Sequence, residues 1–373
     1  MQMTALSGRV QRYSRAFEKW FPTPRTMRPA SLGVDISDSS VKWLGLMHQS
    51  EDKYKVRTYG SASLNPGIVS GGTIRDPHQL AEALSEIKEK FEGVERAHAA
   101  LPEEAAYVFS MTVPHGSGRG EILRLIEFEF EGRVPIPPSS AIYDFDVVTK
   151  DAKEGMEIGV VVFPRDVAEG YASAFEKAGI ELLSLEIEAR SIARAVWAGE
   201  NDPITLLVDF GIARTGFALI KNGIPIFTST VDVGGDSITR AALDKLSLSP
   251  EKAEVFKNEQ GLSATSPEAK AAVEAMTQTA NALSDEIAKH FHYWDTRRDG
   301  GGERVTPVGR VLLVGGSANL EGLPSFIAAK VQAPVERGNV WNNVATFDTY
   351  IPPVDFRTSM QYATAIGLGL RGI

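Results

Sequence analysis

The sequence contains no cysteine, which excludes a disulfide framework and any zinc site built on thiolates. No apolar run approaches the roughly 18 to 20 residues that a membrane-spanning helix needs, and the first residues lack the unbroken apolar core of a signal peptide. A soluble, cytoplasmic chain is the expectation. Basic residues are in deficit, with 39 Lys and Arg against 48 Asp and Glu and a formal charge of −9. Nucleic-acid binding through overall basic charge is therefore not expected. No Gly-Lys pair occurs, so there is no Walker A loop, and neither a His-Glu-x-x-His pair nor a nucleophile elbow is present. Of the six histidines, His290 and His292 flank Phe291 in a helical stretch and point apart, which argues against a metal site there. What the sequence does have is 373 residues, 43% of them apolar, enough for two or three domains with buried cores.

Charge is unevenly spread. Residues 1–30 hold Arg9, Arg12, Arg15, Lys19, Arg25 and Arg28 against the single acid Glu18, a net of +5 that leaves −14 for the rest. Leu6, Val10, Tyr13, Phe17 and Trp20 recur at intervals of 4, 3, 4 and 3, the face of a helix that Pro22, Pro24 and Pro29 then end. Such a basic amphipathic leader suits two roles. It can lie in the interface of an anionic membrane through residues 5–21, or pack on the body of the chain or on a partner.

Past the leader, one unit occurs twice. Leu32 to Leu46 reads as a strand ending in Asp35, a polar turn and a second strand, and Leu206 to Ile220 repeats this with Asp209 in the place of Asp35. A third strand, a helix and an apolar strand follow each hairpin: Lys53 to Leu64, a helix from Asp76-Pro77 and Ala97 to Leu101 in the first copy, and Ile224 to Val233, Asp236 to Leu246 and Arg310 to Val314 in the second. A spacing too long for a solenoid means two pseudo-equivalent α/β lobes with a cleft between them.

Each lobe carries an insertion. Residues 107–184 read as a small α+β module, and residues 247–304 as helices started by Ser249-Pro250 and Ser266-Pro267. The expected domains are a leader (1–30), a first lobe (31–106 and 185–203), the inserted module (107–184) and a second lobe (204–246 and 305–356). The helical subdomain of the second lobe (247–304) and a C-terminal helix packing across both lobes (357–373) complete the chain.

Three turns suit phosphate. The first hairpin tip, Ser37-Asp38-Ser39-Ser40, offers N–H groups and hydroxyls, with Lys42 adding a charge. In the second, Gly211 permits close approach and Thr215 offers a hydroxyl. Two such hairpins facing one cleft can clamp a phosphate chain from both sides, with Asp35 and Asp209 holding a hydrated Mg²⁺. The third turn, Gly315-Gly316 after a buried strand, lets a flat ring or a phosphate approach the main chain. Gly116 to Gly120 looks like a phosphate loop but lacks the full dinucleotide fingerprint.

Six segments carry a family resemblance: Gly-Val-Asp-Ile-Ser-Asp-Ser-Ser-Val-Lys, Asp-Phe-Gly-Ile-Ala-Arg-Thr, Val-Gly-Gly-Asp-Ser-Ile-Thr-Arg, Ala-Glu-Val-Phe-Lys, Leu-Leu-Val-Gly-Gly-Ser-Ala and Ala-Thr-Ala-Ile-Gly-Leu-Gly-Leu-Arg. Each is loose alone, but in this order from about Ser31 to Arg371 they resemble the PilM family of actin-like type IV pilus assembly proteins. That family is similar to the cell-division protein FtsA, whose inserted module replaces one actin subdomain and corresponds to residues 107–184. The resemblance implies an actin-like (ribonuclease H-like) α/β fold and ATP with Mg²⁺ in the cleft; the charge of Asp38 at the first turn, which disfavours a close phosphate grip, makes at most slow hydrolysis the expectation. It implies a partner too, the cytoplasmic tail of an inner-membrane PilN-like protein of the pilus platform, bound in a groove that involves the inserted module. The chain would then sit peripherally on the inner face of the membrane, with self-association left open.

By the same resemblance the first phosphate turn is Asp35 to Lys42 and the second Asp209 to Thr215. Gly234, Gly235 and Thr239 match a third turn meeting the nucleotide, Glu254 and Lys257 match the pair that contacts ribose and base, and Gly315, Gly316 and Ser317 match the adenosine turn. Bacterial actins resembling this chain place a water-orienting acid about where Glu188 stands, here expected on a helix from Leu185 to Trp197. Ser37 and Asp38 depart from the usual glycine and hydroxyl residue, and a carboxylate at that tip would repel phosphate unless Mg²⁺ or Lys42 intervened. Two other readings stay open: an FtsA-like, membrane-associated filament-forming ATPase, and a sugar or acetate kinase, for which no catalytic Asp is found. The cytoplasmic half of a type II secretion platform protein is also similar, but it should continue into a spanning helix, and this chain ends at Ile373 without one.

Overall fold

A computed structural model describes residues 30–50, 53–152, 155–298, 302 and 304–372. The amphipathic helix predicted for the leader lies outside them. The first sheet is founded on a meander, β1 (Leu32–Ile36), β2 (Ser40–Ser50) and β3 (Lys53–Ser63), paired antiparallel. All of β1 is buried, because helices and loops cover both faces of the sheet, and a strand so placed reads as a near-continuous apolar run. A two-stranded hairpin, β4 (Val69–Ser70) and β5 (Thr73–Ile74), follows. Gly71 and Gly72 form its turn at φ 58° and 67°, the left-handed pair that a two-residue hairpin demands. Helix α1 (Pro77–Lys88) starts where the Asp76 carboxylate accepts from the N–H groups of His78 and Gln79, a cap worth about 1 kcal/mol. It buries Leu80, Leu84 and Ile87, and β6 (Arg96–Leu101) then runs parallel to β1.

The inserted module begins with β7 (Tyr107–Val113), followed by α2 (Arg119–Arg133), β8 (Ala141–Ala152) and β9 (Gly155–Pro164), with sheet order β7-β9-β8. Ile122, Ile126 and Phe130, one helical turn apart, seal a small core of their own against Ile158, Val160 and Val162. Helix α3 (Arg165–Lys177) instead buries Tyr171, Ala174 and Phe175 in the main core.

Strand β10 (Glu181–Ile187) returns to the first sheet, whose order is β10-β6-β1-β2-β3. The helix predicted from Leu185 is corrected here. The parallel ladder to β6 holds the backbone extended as far as Ile187, paired with Leu101, so α4 (Glu188–Val196) can begin only at Glu188. Glu186 therefore lies on a strand, where Arg194 grips it with two bonds of 2.6 and 2.8 Å and Arg371 adds a third contact.

The second sheet repeats the first. Its meander is β11 (Ile204–Phe210), β12 (Thr215–Lys221) and β13 (Ile224–Val231), followed by helices α5 (Gly235–Leu246), α6 (Pro250–Glu259) and α7 (Lys270–Asp295). Strand β14 (Val308–Val314), helix α8 (Leu323–Val331) and strand β15 (Val335–Arg337) complete an order of β13-β12-β11-β14-β15. The apolar stripe of α7, from Met276 through Leu283 and Ile287 to Trp294, is buried. Short helix α9 (Phe356–Ser359) leads to α10 (Ala363–Gly369). The stretch just before α10 holds the second lobe, since Met360 O accepts from Gly315 N at 3.2 Å and Arg357 O from Asn319 Nδ2 at 2.8 Å. Helix α10 itself lies on the first lobe so closely that a Cβ at Gly367 would sit 1.8 Å from Ser191 O, and one at Gly33 2.1 Å from Ala365 O. No helix among the described residues is long and apolar enough to cross a membrane.

Candidate functional site

The two duplicated hairpins face one another across a cavity of about 590 Å³. Its walls bring together Asp35, Ser37, Asp38, Ser39, Ser40 and Lys42 of the first lobe with Asp209 and Gly211 of the second; Glu188, Gly315 and Gly316 close it. A neighbouring cavity of about 320 Å³ is lined by Gly235, Thr239, Glu254, Lys257 and Ser317. Ile212, Gly316 and Gln361 border both. Two adjoining spaces, one acidic and hydroxyl-rich and one narrower, suit a ligand with a phosphate end and a ring end.

Asp35 and Lys42 are register partners across the first hairpin. The tip closes on itself: Ser37 N donates to Ser40 O at 2.9 Å, and the Ser37 hydroxyl both accepts from Ser40 N at 3.2 Å and lies within bonding distance of Ser40 O. Lys42 Nζ donates to Ser40 Oγ at 3.0 Å. Asp38 does not stand bare toward a phosphate, as its position in the turn suggests. Its two oxygens accept from Gly71 N and Gly72 N, each at 3.1 Å, and it forms an ion pair with Arg214 of the second hairpin. Arg214 also pairs with Glu104.

The second hairpin is locked from outside. Gly211 O accepts from Gly235 N and from the Ser317 hydroxyl, both at 3.0 Å. A Cβ at Gly234 would lie 2.1 Å from Ile212 O, one at Gly235 2.0 Å from Ser317 Oγ, and one at Gly315, whose φ is 87°, 2.4 Å from Asp209 Oδ1. These glycines make room for neighbouring chain, and Gly235 and Gly315 also border the cavities. Gly316 is different, because its Cβ would meet only Gln361 Cβ at an ordinary 3.5 Å. Two expected ligand groups are not brought to either cavity among the described residues. Gly234 is one; Thr215 is the other, fully buried and donating its hydroxyl to Val233 O at 2.6 Å.

In the smaller cavity Lys257 is buried, and its Nζ donates to Glu254 Oε2 at 2.7 Å and to Thr239 Oγ1 at 3.1 Å. Thr239 and Asn258 donate to the same carboxylate. Burial works against the Glu254 charge, yet these bonds hold its pKa below the ordinary value.

Sequence reasoning misses Glu103, Glu104 and Arg214. Arg214 stands inside the Asp-Phe-Gly-Ile-Ala-Arg-Thr segment, so its position was visible while its partners were not. Glu103 sits on the turn after β6 and accepts from Ala189 N at 2.6 Å, capping the first turn of α4, which Glu188 opens. Burial pushes Glu103 up to about 8 and Asp209 to about 6, and raises Asp35 and, with the charges of Asp35 and Glu103, Glu188. Six carboxylates line the larger cavity against two cations, Lys42 and Arg214, among the described residues. A divalent cation fits this donor set. No cluster of three metal-ligating side chains occurs among the described residues.

The model of the family described as type IV pilus assembly protein PilM matches residues 33–373. Among solved structures, the chain is similar to the PilM-PilN type IV pilus biogenesis complex at 22% identity, over 92% of this chain and 99% of that chain, with a TM-score of 0.74. It is similar to the ethanolamine utilization protein EutJ from Carboxydothermus hydrogenoformans at 17% identity, over 94% and 91% of the two chains, with a TM-score of 0.53. It is similar also to MreB5 of Spiroplasma citri, solved bound to ADP, at 12% identity over 93% and 96%, with a TM-score of 0.51. These likenesses are of fold, and the fold is actin-like.

Proposed function

The chain belongs to the family of the type IV pilus assembly protein PilM, and from that premise we propose that it is a cytoplasmic nucleotide-binding scaffold whose partner is the cytoplasmic tail of an inner-membrane PilN-like protein. The observation that carries the nucleotide part is the pair of Asp-ended hairpins facing across one cavity that adjoins a second through Gly316. ATP fits with its phosphates between the hairpins and its nucleoside toward Thr239, Glu254 and Lys257. Asp35 and Asp209 would hold Mg²⁺, which supplies positive charge against the phosphates. The partner is supported by the PilM-PilN complex to which the chain is similar in fold.

In this reading Lys42 and the hydroxyls of Ser39 and Ser40 orient phosphate oxygens. Glu188, at the start of α4 beside the larger cavity, is placed to orient a water or take its proton. Burial and the neighbouring carboxylates raise its pKa; turnover is slow in this reading, and nucleotide acts mainly on lobe closure. Residues 5–21 would add affinity for an anionic membrane surface.

The test is a pull-down using the tail peptide of a PilN-like protein, with and without ATP and Mg²⁺. Retention of the chain that responds to nucleotide is the expected result. A tail that captures nothing in either condition would remove the scaffold reading.

A further inference from the structure

The ion pairs of Arg214 join parts of the molecule that are far apart in sequence. Arg214 stands on the tip of the second hairpin, Asp38 on the tip of the first, and Glu104 on the turn that leads into the inserted module. All three side chains are about three-quarters buried, with 21%, 31% and 27% of their surface exposed. Asp38 is itself held in place by Gly71 N and Gly72 N. The carbonyl of Gly72 accepts from the Tyr171 hydroxyl of α3 at 2.9 Å, so the turn that holds the carboxylate is itself fixed to the main core. A guanidinium presents a fork of donors, and here an arginine of the second lobe spends its two ends on two carboxylates of the first.

We propose that Arg214 is an interlobe latch: in the ligand-free protein it ties the two hairpin tips together across the phosphate end of the cleft, and a bound nucleotide's terminal phosphate takes it over from Asp38 and Glu104. The exchange rests on the reading of the cleft as a nucleotide site. It follows from the charges. Lys42 and Arg214 are the cations lining that cavity among the described residues, and Lys42 bonds within its own hairpin, to Ser40 Oγ. Arg214 is therefore the cation whose capture by a chain of phosphates between the hairpins would release one lobe from the other. Phosphate oxygens and carboxylates compete for the same fork, so the terminal phosphate weakens the tie that holds the lobes. A diphosphate, shorter by one group, competes less. The latch thus makes the separation of the lobes depend on which nucleotide is bound.

The test has two arms, both using the full chain. A chain without cysteine allows spin labels at Ser85→Cys on α1 and Gln278→Cys on α7, both exposed. Without nucleotide, pulsed electron resonance should give a single narrow distance in the parent, and a shifted, broader one in Arg214→Ala and in Asp38→Asn. Arg214→Lys, which keeps the charge and loses the fork, should fall between. In the second arm, Asp38→Asn removes a competitor while leaving Arg214 in place, and it should bind ATP about tenfold more tightly, the equivalent of one charge-assisted contact, with a smaller gain for ADP. Identical ligand-free distances in all variants would overturn the latch. An unchanged ATP affinity in Asp38→Asn would overturn the exchange. Failure of the parent to bind any nucleotide would remove the reading of the cleft and the exchange with it, while the ligand-free distances would still decide the latch.

Discussion

The two hairpins begin from nearly one pattern, an apolar strand ending in Asp, a tight turn and an antiparallel return, yet they are held in opposite ways. The first is closed by its own serines and anchored outward through Asp38. The second is clamped between the glycine turns at 234–235 and 315–316, with Thr215 turned inward and Ser317 bonded to Gly211. Duplication supplied a common scaffold, and the contacts around each tip then divided the work. The second hairpin turns its hydroxyl inward, whereas the first keeps Ser39, Ser40 and Lys42 on the cavity wall.

By that contrast, the largest effect of a small substitution falls beside the second hairpin. Gly315→Ala puts a Cβ 2.4 Å from Asp209 Oδ1 on a backbone at φ 87°, so left-handed strain and overpacking together should cost about 2 to 4 kcal/mol. Urea unfolding would measure it, and a loss below about 1 kcal/mol would mean that the turn yields.

Next comes the acid cluster between the hairpins. Glu103 is pushed up to about 8 from 4.5, so the folded chain binds a proton there more tightly than the unfolded one. The stabilisation linked to that proton is full below about pH 4.5 and is lost as pH rises toward about 8. Melting temperature should therefore fall across this range in the ligand-free protein, and Glu103→Gln should flatten the slope. A stability that climbs from pH 5 to pH 8 with no change of slope in Glu103→Gln would contradict the protonated cluster.

The smallest effects compare hydroxyls at the two hairpins. Thr215→Val strands the half-buried Val233 carbonyl and should cost about 1 to 3 kcal/mol. Ser37→Ala, at a partly exposed turn, should cost no more than about 1 kcal/mol by the same reasoning. Equal losses by chemical denaturation would erase the asymmetry.

How much of this was legible in the sequence depends on the range of the interaction. The hairpins, the helix cap at Asp76 and the apolar stripe of α7 follow from neighbours a few residues apart, and they appear in the pattern. The start of α4 does not, because a strand partner 86 residues away, Leu101 for Ile187, decides where extended backbone must end. The inward turn of Thr215 and the neutralisation of Asp38 by Arg214, 176 residues on, are contacts between turns that only the folded chain brings together. The Gly315-Gly316 turn was recognisable as a close approach and Gly234 and Gly235 as family matches, but that neighbouring chain also approaches Gly234, Gly235 and Gly315 could not be read from spacing.

The central claim is that the cleft between the hairpins takes ATP with Mg²⁺ and that Gly316 lies where its two cavities meet. Thermal unfolding of the parent and of Gly316→Trp, each with and without saturating ATP and Mg²⁺, tests it most directly. Gly316 has room for a Cβ, so the indole should enter the cavities without breaking the turn. The parent should gain about 2.7 kcal/mol at a hundredfold excess of ligand over Kd, seen as a rise in melting temperature, and Gly316→Trp should show no rise. Equal rises in both proteins would place the nucleotide elsewhere and contradict the account.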